Sequence, residues 1–176
     1  MTTPASHRDD PPYLFGVEEH RSAILSPCGT YRYELTRRWS PGPLAGWIML
    51  NPSTADADVD DPTVRRCIAF ARGWGYGGIV IRNLYALRAS DPRELDDHPA
   101  PVGPDNDDHL SHCGREELTV LAWGSRGGDR GLAVMERLAR QGVPLHQLAM
   151  TAAGQPRHPL YLPGDLMPTP TGTRRR

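Results

Sequence analysis

Apolar and polar positions divide the chain into short strand-like runs and longer helical ones. Ala23-Ile24-Leu25 and Tyr31-Arg32-Tyr33-Glu34-Leu35 read as two strands of a hairpin, joined by the turn formers Ser26-Pro27-Cys28-Gly29. Gly46-Trp47-Ile48-Met49-Leu50 is an unbroken apolar run that stops at Asn51-Pro52. Over 62–73 the apolar residues Val64, Cys67, Ile68 and Ala71 share one helical face, with Asp61 as N-cap and Pro62 in the first turn. Gly78-Ile79-Val80-Ile81 is a second buried strand, closing on Arg82-Asn83. After a polar loop, 105–116 reads as helical. Leu118-Thr119-Val120-Leu121-Ala122-Trp123 is a third strand, feeding Gly124-Ser125-Arg126-Gly127-Gly128 and a helix over 129–141. A fourth strand covers 145–150, before Gly154-Gln155-Pro156-Arg157-His158-Pro159.

Apolar strands that alternate with helices imply a parallel sheet covered on both faces. The predicted fold is therefore a three-layer α/β/α domain with a central four-stranded parallel sheet and an N-terminal β-hairpin. It covers 13–163 as a single domain, with flexible tails at 1–12 and 164–176, the second rich in proline and arginine. Such sheets bind ligands beyond the carboxyl ends of their strands. That rule puts Asn51, Asn83, Ser125 and His158 at one edge.

Composition narrows the function. The 176 residues suit one domain of ordinary size. No apolar run is long enough for a membrane span, and the polar N-terminus lacks a signal-peptide core, which predicts a cytoplasmic protein without membrane association. Three scattered cysteines, Cys28, Cys67 and Cys113, argue against a disulfide framework and for reduced, mostly buried thiols. The net charge of −1 gives no global attraction for nucleic acid, although the basic residues are all arginine, the better phosphate fork. Nothing indicates an obligate protein partner, and a monomer is expected. His109-x-x-His112-Cys113 has metal-ligand residue types at helical spacing but no fourth ligand nearby, so no metal site is assigned. The Gly124–Gly128 stretch, Gly-Ser-Arg-Gly-Gly, is neither a P-loop nor a dinucleotide fingerprint, though free amides before a helix suit an anion.

The order of the strand ends resembles the uracil-DNA glycosylase superfamily. Met49-Leu50-Asn51-Pro52-Ser53 stands where that superfamily has G-Q-D-P-Y-H or G-I-N-P-G, and Val80-Ile81-Arg82-Asn83-Leu84 where it carries a base-reading Asn. Leu121-Ala122-Trp123-Gly124-Ser125 is similar to its L-W-G-S, and His158-Pro159-Leu160-Tyr161 to its H-P-S-P. Asn51-Pro52-Ser53-Thr54-Ala55-Asp56 and Asp61-Pro62-Thr63 also resemble a group of bacterial and phage proteins known only as a domain of unknown function. The resemblance covers about 22–163. The first loop departs from it, having Asn where the most active members have a water-activating Asp, and no evident stacking aromatic there.

The resemblance implies a monofunctional DNA glycosylase without cofactor, which hydrolyses the N-glycosidic bond of a damaged or modified base. A pyrimidine such as uracil or a 5-substituted uracil or cytosine is the expected base, and DNA containing it the partner. Asn51 would hold the attacking water, or merely form an Asx turn before Pro52. Asp56 in the acidic loop is a candidate general base, and so is Asp61 unless it only caps its helix. Asn83, with Pro52, Ser53 and Tyr85, would form the base pocket, and His158 would donate to a base carbonyl as charge develops. Ser125, Arg82, Arg88, Arg126 and Arg157 are candidate phosphate contacts, and Tyr161 a DNA contact. Two alternatives use the same residues: an N-glycoside hydrolase of a free nucleotide or nucleoside, and a non-catalytic module that binds a modified base.

Overall fold

The structure, a computed structural model, describes residues 19–53 and 59–172. Its hairpin pairs β1 (His20–Leu25) antiparallel with β2 (Arg32–Arg38), and its turn closes through a hydrogen bond from Tyr31 N to Ser26 Oγ (3.1 Å). The three apolar runs become β3 (Leu44–Met49), β4 (Gly78–Asn83) and β5 (Leu118–Leu121), all but Leu44 buried. β6 (Leu145–Gln147) is shorter than the predicted strand. The chain leaves the sheet at Leu148, and Met150 forms only an isolated bridge with Pro156.

Helices connect these strands. α1 (Pro62–Gly73) begins as predicted, with Asp61 Oδ1 accepting from Val64 N at 2.8 Å. α2 (Glu94–Asp97) is a single turn within the long polar loop, and α3 (Asn106–Ser111) is six residues of the helix expected over 105–116. α4 (Gly128–Arg140) follows β5 through a 3-10 turn, Gly124–Gly127. A second 3-10 turn, Pro159–Tyr161, follows His158. None of the helices among the described residues is long and apolar enough to cross a membrane.

The result is a mixed α/β structure on one seven-stranded sheet of order β1-β2-β4-β3-β5-β6-β7. β4 with β3, β3 with β5 and β5 with β6 pair parallel. The edges are antiparallel: β2 joins β4, and β7 (Thr169–Pro170) joins β6. β7 falls in the stretch expected to be a flexible tail. Further contact comes from Trp74 Nε1, which donates to Leu166 O at 3.0 Å. A two-residue strand ending in proline has no periodicity to reveal it, and proline is tolerated there because the strand lies at the edge.

Alternation along β3 sends Ala45, Trp47 and Met49 into one core cluster and Ile48, with Leu50 just beyond, into another. The first cluster is closed by α1, where Trp47, Phe70 and Trp74 stack with centroids 5.4–6.3 Å apart. Each such pair adds about 0.5–1.5 kcal/mol beyond its area burial. The second is closed by Leu110 of α3 and by Val134 and Leu138 of α4. Cys67 and Cys113 are buried as expected, but Cys28 is exposed in the hairpin turn. Hydrogen bonding with Ser26, then with Thr30, lowers its pKa to about 7.

Candidate functional site

The parallel register aligns Met49 with Asn83, so Asn51 and Asn83 emerge at one edge of the sheet. β2 runs antiparallel to β4, which brings its first residue, Arg32, to that same edge; Arg32 N donates to Ala86 O at 2.9 Å. These elements surround a cavity of about 180 Å³. Of the predicted residues it is lined by Asn51, Ser53, Asp61, Asn83 and His158, and it adds Arg32 and Trp123.

Local hydrogen bonding fixes what each side chain has left to offer. Asn51 Nδ2 donates to Pro52 O (3.0 Å) and Ala89 O (2.9 Å), so both amide hydrogens are spent. Its carbonyl Oδ1 is the end available to a ligand or water. Asn51 therefore holds its place in the pocket through its amide hydrogens, and the expected Asx turn, in which its oxygen would accept from Ser53 N, is not among the hydrogen bonds of the described residues. Ser53 Oγ donates to Asp61 Oδ2 at 2.7 Å, while Asp61 Oδ1 caps α1. Asp61 is thus both the helix cap and a cavity residue.

Asn83 is 2% exposed, and its Nδ2 has no hydrogen-bond partner among the described residues. A buried donor left so costs about 1–3 kcal/mol, which an acceptor in the cavity would relieve. Behind it, the buried Asn106 donates through Nδ2 to the carbonyls of Asn83 and Leu84, both at 3.0 Å. That bond holds the strand end in place.

His158 Nδ1 accepts from Leu160 N at 3.3 Å, so the neutral ring carries its proton on Nε2. Burial lowers its pKa, and the charge of Asp61 opposes that only in part. Arg32 is 4% exposed. Burial lowers its pKa to about 10, with Asp61 again opposing, so it remains a cation at neutral pH. Trp123 is buried, and its Nε1 donates to Gln155 Oε1 at 2.8 Å. Its ring lies on Gly127 and Gly131: a Cβ at Gly127 would stand 2.0 Å from Trp123 Cδ1. Gly127 of the Gly-rich stretch and Gly131 of α4 make room for an indole, a packing role that the anion reading did not foresee.

Other predicted residues lie elsewhere. Tyr85 packs partly buried against the second core cluster and does not line the cavity. Pro52 is buried beside it, its carbonyl accepting from Ala89 N at 3.0 Å. Arg82 is no phosphate contact: it is 4% exposed and clamped by Glu34 (2.8 Å) and Glu116 (2.9 Å). Arg126 is exposed but ion-paired with Asp96 at 2.6 Å, and Arg88 donates to Gly29 O at 3.1 Å. Ser125 and Arg157 are exposed, and Tyr161, just past His158, is 85% exposed. Asp56 lies outside the described residues. His109, singled out for metal, instead stacks face to face on Tyr33 with centroids 4.7 Å apart.

Sequence reasoning missed Arg32, Trp123 as a wall, and Asn106. Trp123 was legible as a strand-end residue, but a single Arg within a hairpin strand gives no such sign. No curated protein and no solved structure matches the chain. The span that carries every cavity residue, 32–160, matches one family model, and the chain belongs to that family, described as "Protein of unknown function (DUF1643)".

Proposed function

We propose that the chain is a monofunctional DNA glycosylase with a three-layer, uracil-DNA glycosylase-like architecture. It hydrolyses the N-glycosidic bond of a damaged or modified base, a pyrimidine such as uracil or a 5-substituted uracil or cytosine. One observation carries this reading: Asn51, Asn83 and His158 share a cavity in which the buried amide of Asn83 lacks a partner. The parallel pairing of β3 to β6 and the helices closing two core clusters are compatible with the architecture. At about 180 Å³ the cavity is below the ~300 Å³ at which drug-sized pockets begin, and suits one flat ring with its sugar outside.

In the proposed reaction, Asn51 Oδ1 accepts a hydrogen bond from the attacking water. The C1′–N bond breaks with its electron pair leaving on the base, and the water oxygen bonds to C1′. The released proton passes to a carboxylate, Asp61 or Asp56, and the departed base takes one from solvent. His158 Nε2 donates to a base carbonyl as negative charge builds there, and Asn83 Nδ2 reads the same ring. The steps as drawn use no metal or cofactor.

The test is base release from single- and double-stranded oligonucleotides carrying uracil, 5-substituted uracils, hypoxanthine or normal bases. Cleavage at one base should fall roughly 10²–10³-fold in His158→Ala, the usual loss for one oxyanion donor. Full activity in both Asn51→Ala and His158→Ala would sink the mechanism. The carboxylates on Arg82 and Arg126 favour a second reading, hydrolysis of a free nucleoside or nucleotide, because they remove two predicted phosphate contacts. Duplex affinity that falls steeply with salt supports the first reading, and its absence the second.

A further inference from the structure

We infer that Ser53 is a catalytic residue of this cavity: its hydroxyl relays a proton from the attacking water to Asp61, which makes Asp61 the general base. The inference deepens the proposed base-release reading and rests on it for the reaction.

Hydrogen-bond polarity sets the direction of the relay. A carboxylate accepts and does not donate, so the 2.7 Å contact of Ser53 Oγ with Asp61 Oδ2 points the hydroxyl hydrogen at Asp61. That length is the one expected for an O–H donor on a charged oxygen. A serine oxygen keeps two acceptor lone pairs, and no donor meets Ser53 Oγ among the described residues. Ser53 is half-buried and lines the cavity together with Asn51 and Asp61. Asn51, two residues earlier on the same loop, has the same polarity, because Nδ2 is spent on Pro52 O and Ala89 O and Oδ1 is the end left. The loop therefore offers two acceptors to the two hydrogens of one water. Held by both, that water turns its lone pairs to the sugar.

The carboxylate is fixed for this use. Asp61 Oδ1 accepts from Val64 N at the start of α1, and Oδ2 serves Ser53. In the step itself, the water oxygen bonds to C1′ as the C1′–N bond breaks with its electron pair leaving on the base. One water proton moves to Ser53 Oγ while the Ser53 proton moves to Asp61 Oδ2. Serine ends as it began, Asp61 ends as the neutral acid and returns its proton to solvent, and the departed base takes a proton from solvent. An amide oxygen is too weak a base to take the proton, so Asn51 holds the water and the Ser53–Asp61 pair discharges it. A Ser53 that merely stitches the loop to α1 would affect stability alone.

Base release by the full chain, with kcat and KM measured separately, tests this in Ser53→Ala, Ser53→Thr and Asp61→Asn. Ser53→Ala should lower kcat roughly 10²-fold with KM unchanged. Ser53→Thr, which keeps the hydroxyl, should restore most of it. Asp61→Asn, which can cap α1 but cannot take a proton, should lose at least as much as Ser53→Ala. Single turnovers of the wild type in mixtures of light and heavy water need no variant: two protons moving in one step give a curved dependence of rate on deuterium content, and one gives a straight line. Melting curves establish that each variant is folded; if Ser53→Ala is not, Asp61→Asn and the wild-type solvent dependence decide. Unchanged kcat in a folded Ser53→Ala overturns the inference, as does a rise in KM alone, which would put Ser53 in the base pocket. Full kcat in Asp61→Asn or a straight line in the wild type also overturns it. Each of these results, obtained with an enzyme that releases a base, leaves the glycosylase reading standing. No base release from any substrate by the folded wild type overturns that reading and this inference with it.

Discussion

Arg32 and Arg82 are equally buried, at 4% exposure each, and both lie towards the same edge of the sheet. Their surroundings differ. Burial opposes the charge of Arg82, but Cys113, Glu116 and Glu34 outweigh it and raise its pKa. Both ends of its guanidinium are held by carboxylates. At Arg32 burial wins, lowering the pKa to about 10 against the pull of Asp61, and the side chain borders a cavity. One arginine is therefore a cross-link between β2, β4 and the segment before β5, and the other is a buried cation in the wall of the cavity. Neighbouring acids decide the role, and residue type and burial do not.

The largest effect should come from breaking the cross-link. Arg82→Met strands Glu34 and the buried Glu116, and should cost about 3–5 kcal/mol in urea denaturation. Adding Glu34→Gln and Glu116→Gln should recover much of that loss. Arg32→Gln should cost less than Arg82→Met, because glutamine keeps a polar end at the cavity and leaves both carboxylates on Arg82 paired. Equal losses from the two arginines would erase the distinction between them.

The next effect concerns the cavity wall. Gly127→Ala puts a methyl 2.0 Å from Trp123 Cδ1 and 2.2 Å from its Nε1. Overpacking of this kind costs about 1–3 kcal/mol, and the displaced indole should also weaken base binding. Gly73→Ala, with nothing within 4 Å, is the control and should be neutral or slightly stabilising. If both substitutions behave alike, Trp123 is not pinned as described.

Those two residues also show where sequence reading stops. The strands, α1 with its Asp61 cap, and the convergence of Asn51, Asn83 and His158 were legible, because periodicity and turn chemistry are local signals. Arg82 was read as a phosphate contact because it ends a strand beside Asn83. Its partners are distant in sequence, Glu34 by 48 residues and Glu116 by 34, and no local pattern announces them. Arg32 was passed over for the mirror-image reason: its place at the cavity depends on β2 joining β4 antiparallel. β7 was lost because two residues carry no period. Long-range pairing determines each of these, and a single chain does not display it.

A smaller effect separates the two duties of Asp61. Asp61→Ala removes the cap and should cost about 1 kcal/mol, within the usual 0.5–2. Asp61→Asn can still cap α1, so most of that stability should return. What it cannot supply is charge. Because Asp61 raises the pKa of His158, the His158 ring in Asp61→Asn should titrate at lower pH by NMR than in the wild type. A titration that does not move would mean that Asp61 acts only as a cap and that Arg32 lacks the counter-charge assigned to it.

The smallest expected effect is a dependence of stability on pH. The pKa of His158 is lowered in the fold chiefly by burial, and so is that of His109. The unfolded chain then takes up protons near pH 6.5, where the native chain still resists. Stability should be level above that pH and fall as pH drops through the lowered folded values. At His158 the loss has a structural counterpart. A proton on Nδ1 removes the acceptor for Leu160 N and so undoes the cap of the Pro159–Tyr161 turn. His158→Gln and His109→Gln should each remove part of the slope in urea midpoints between pH 5 and pH 7. A flat wild-type profile across that window would mean that burial does not hold the rings neutral below their ordinary range.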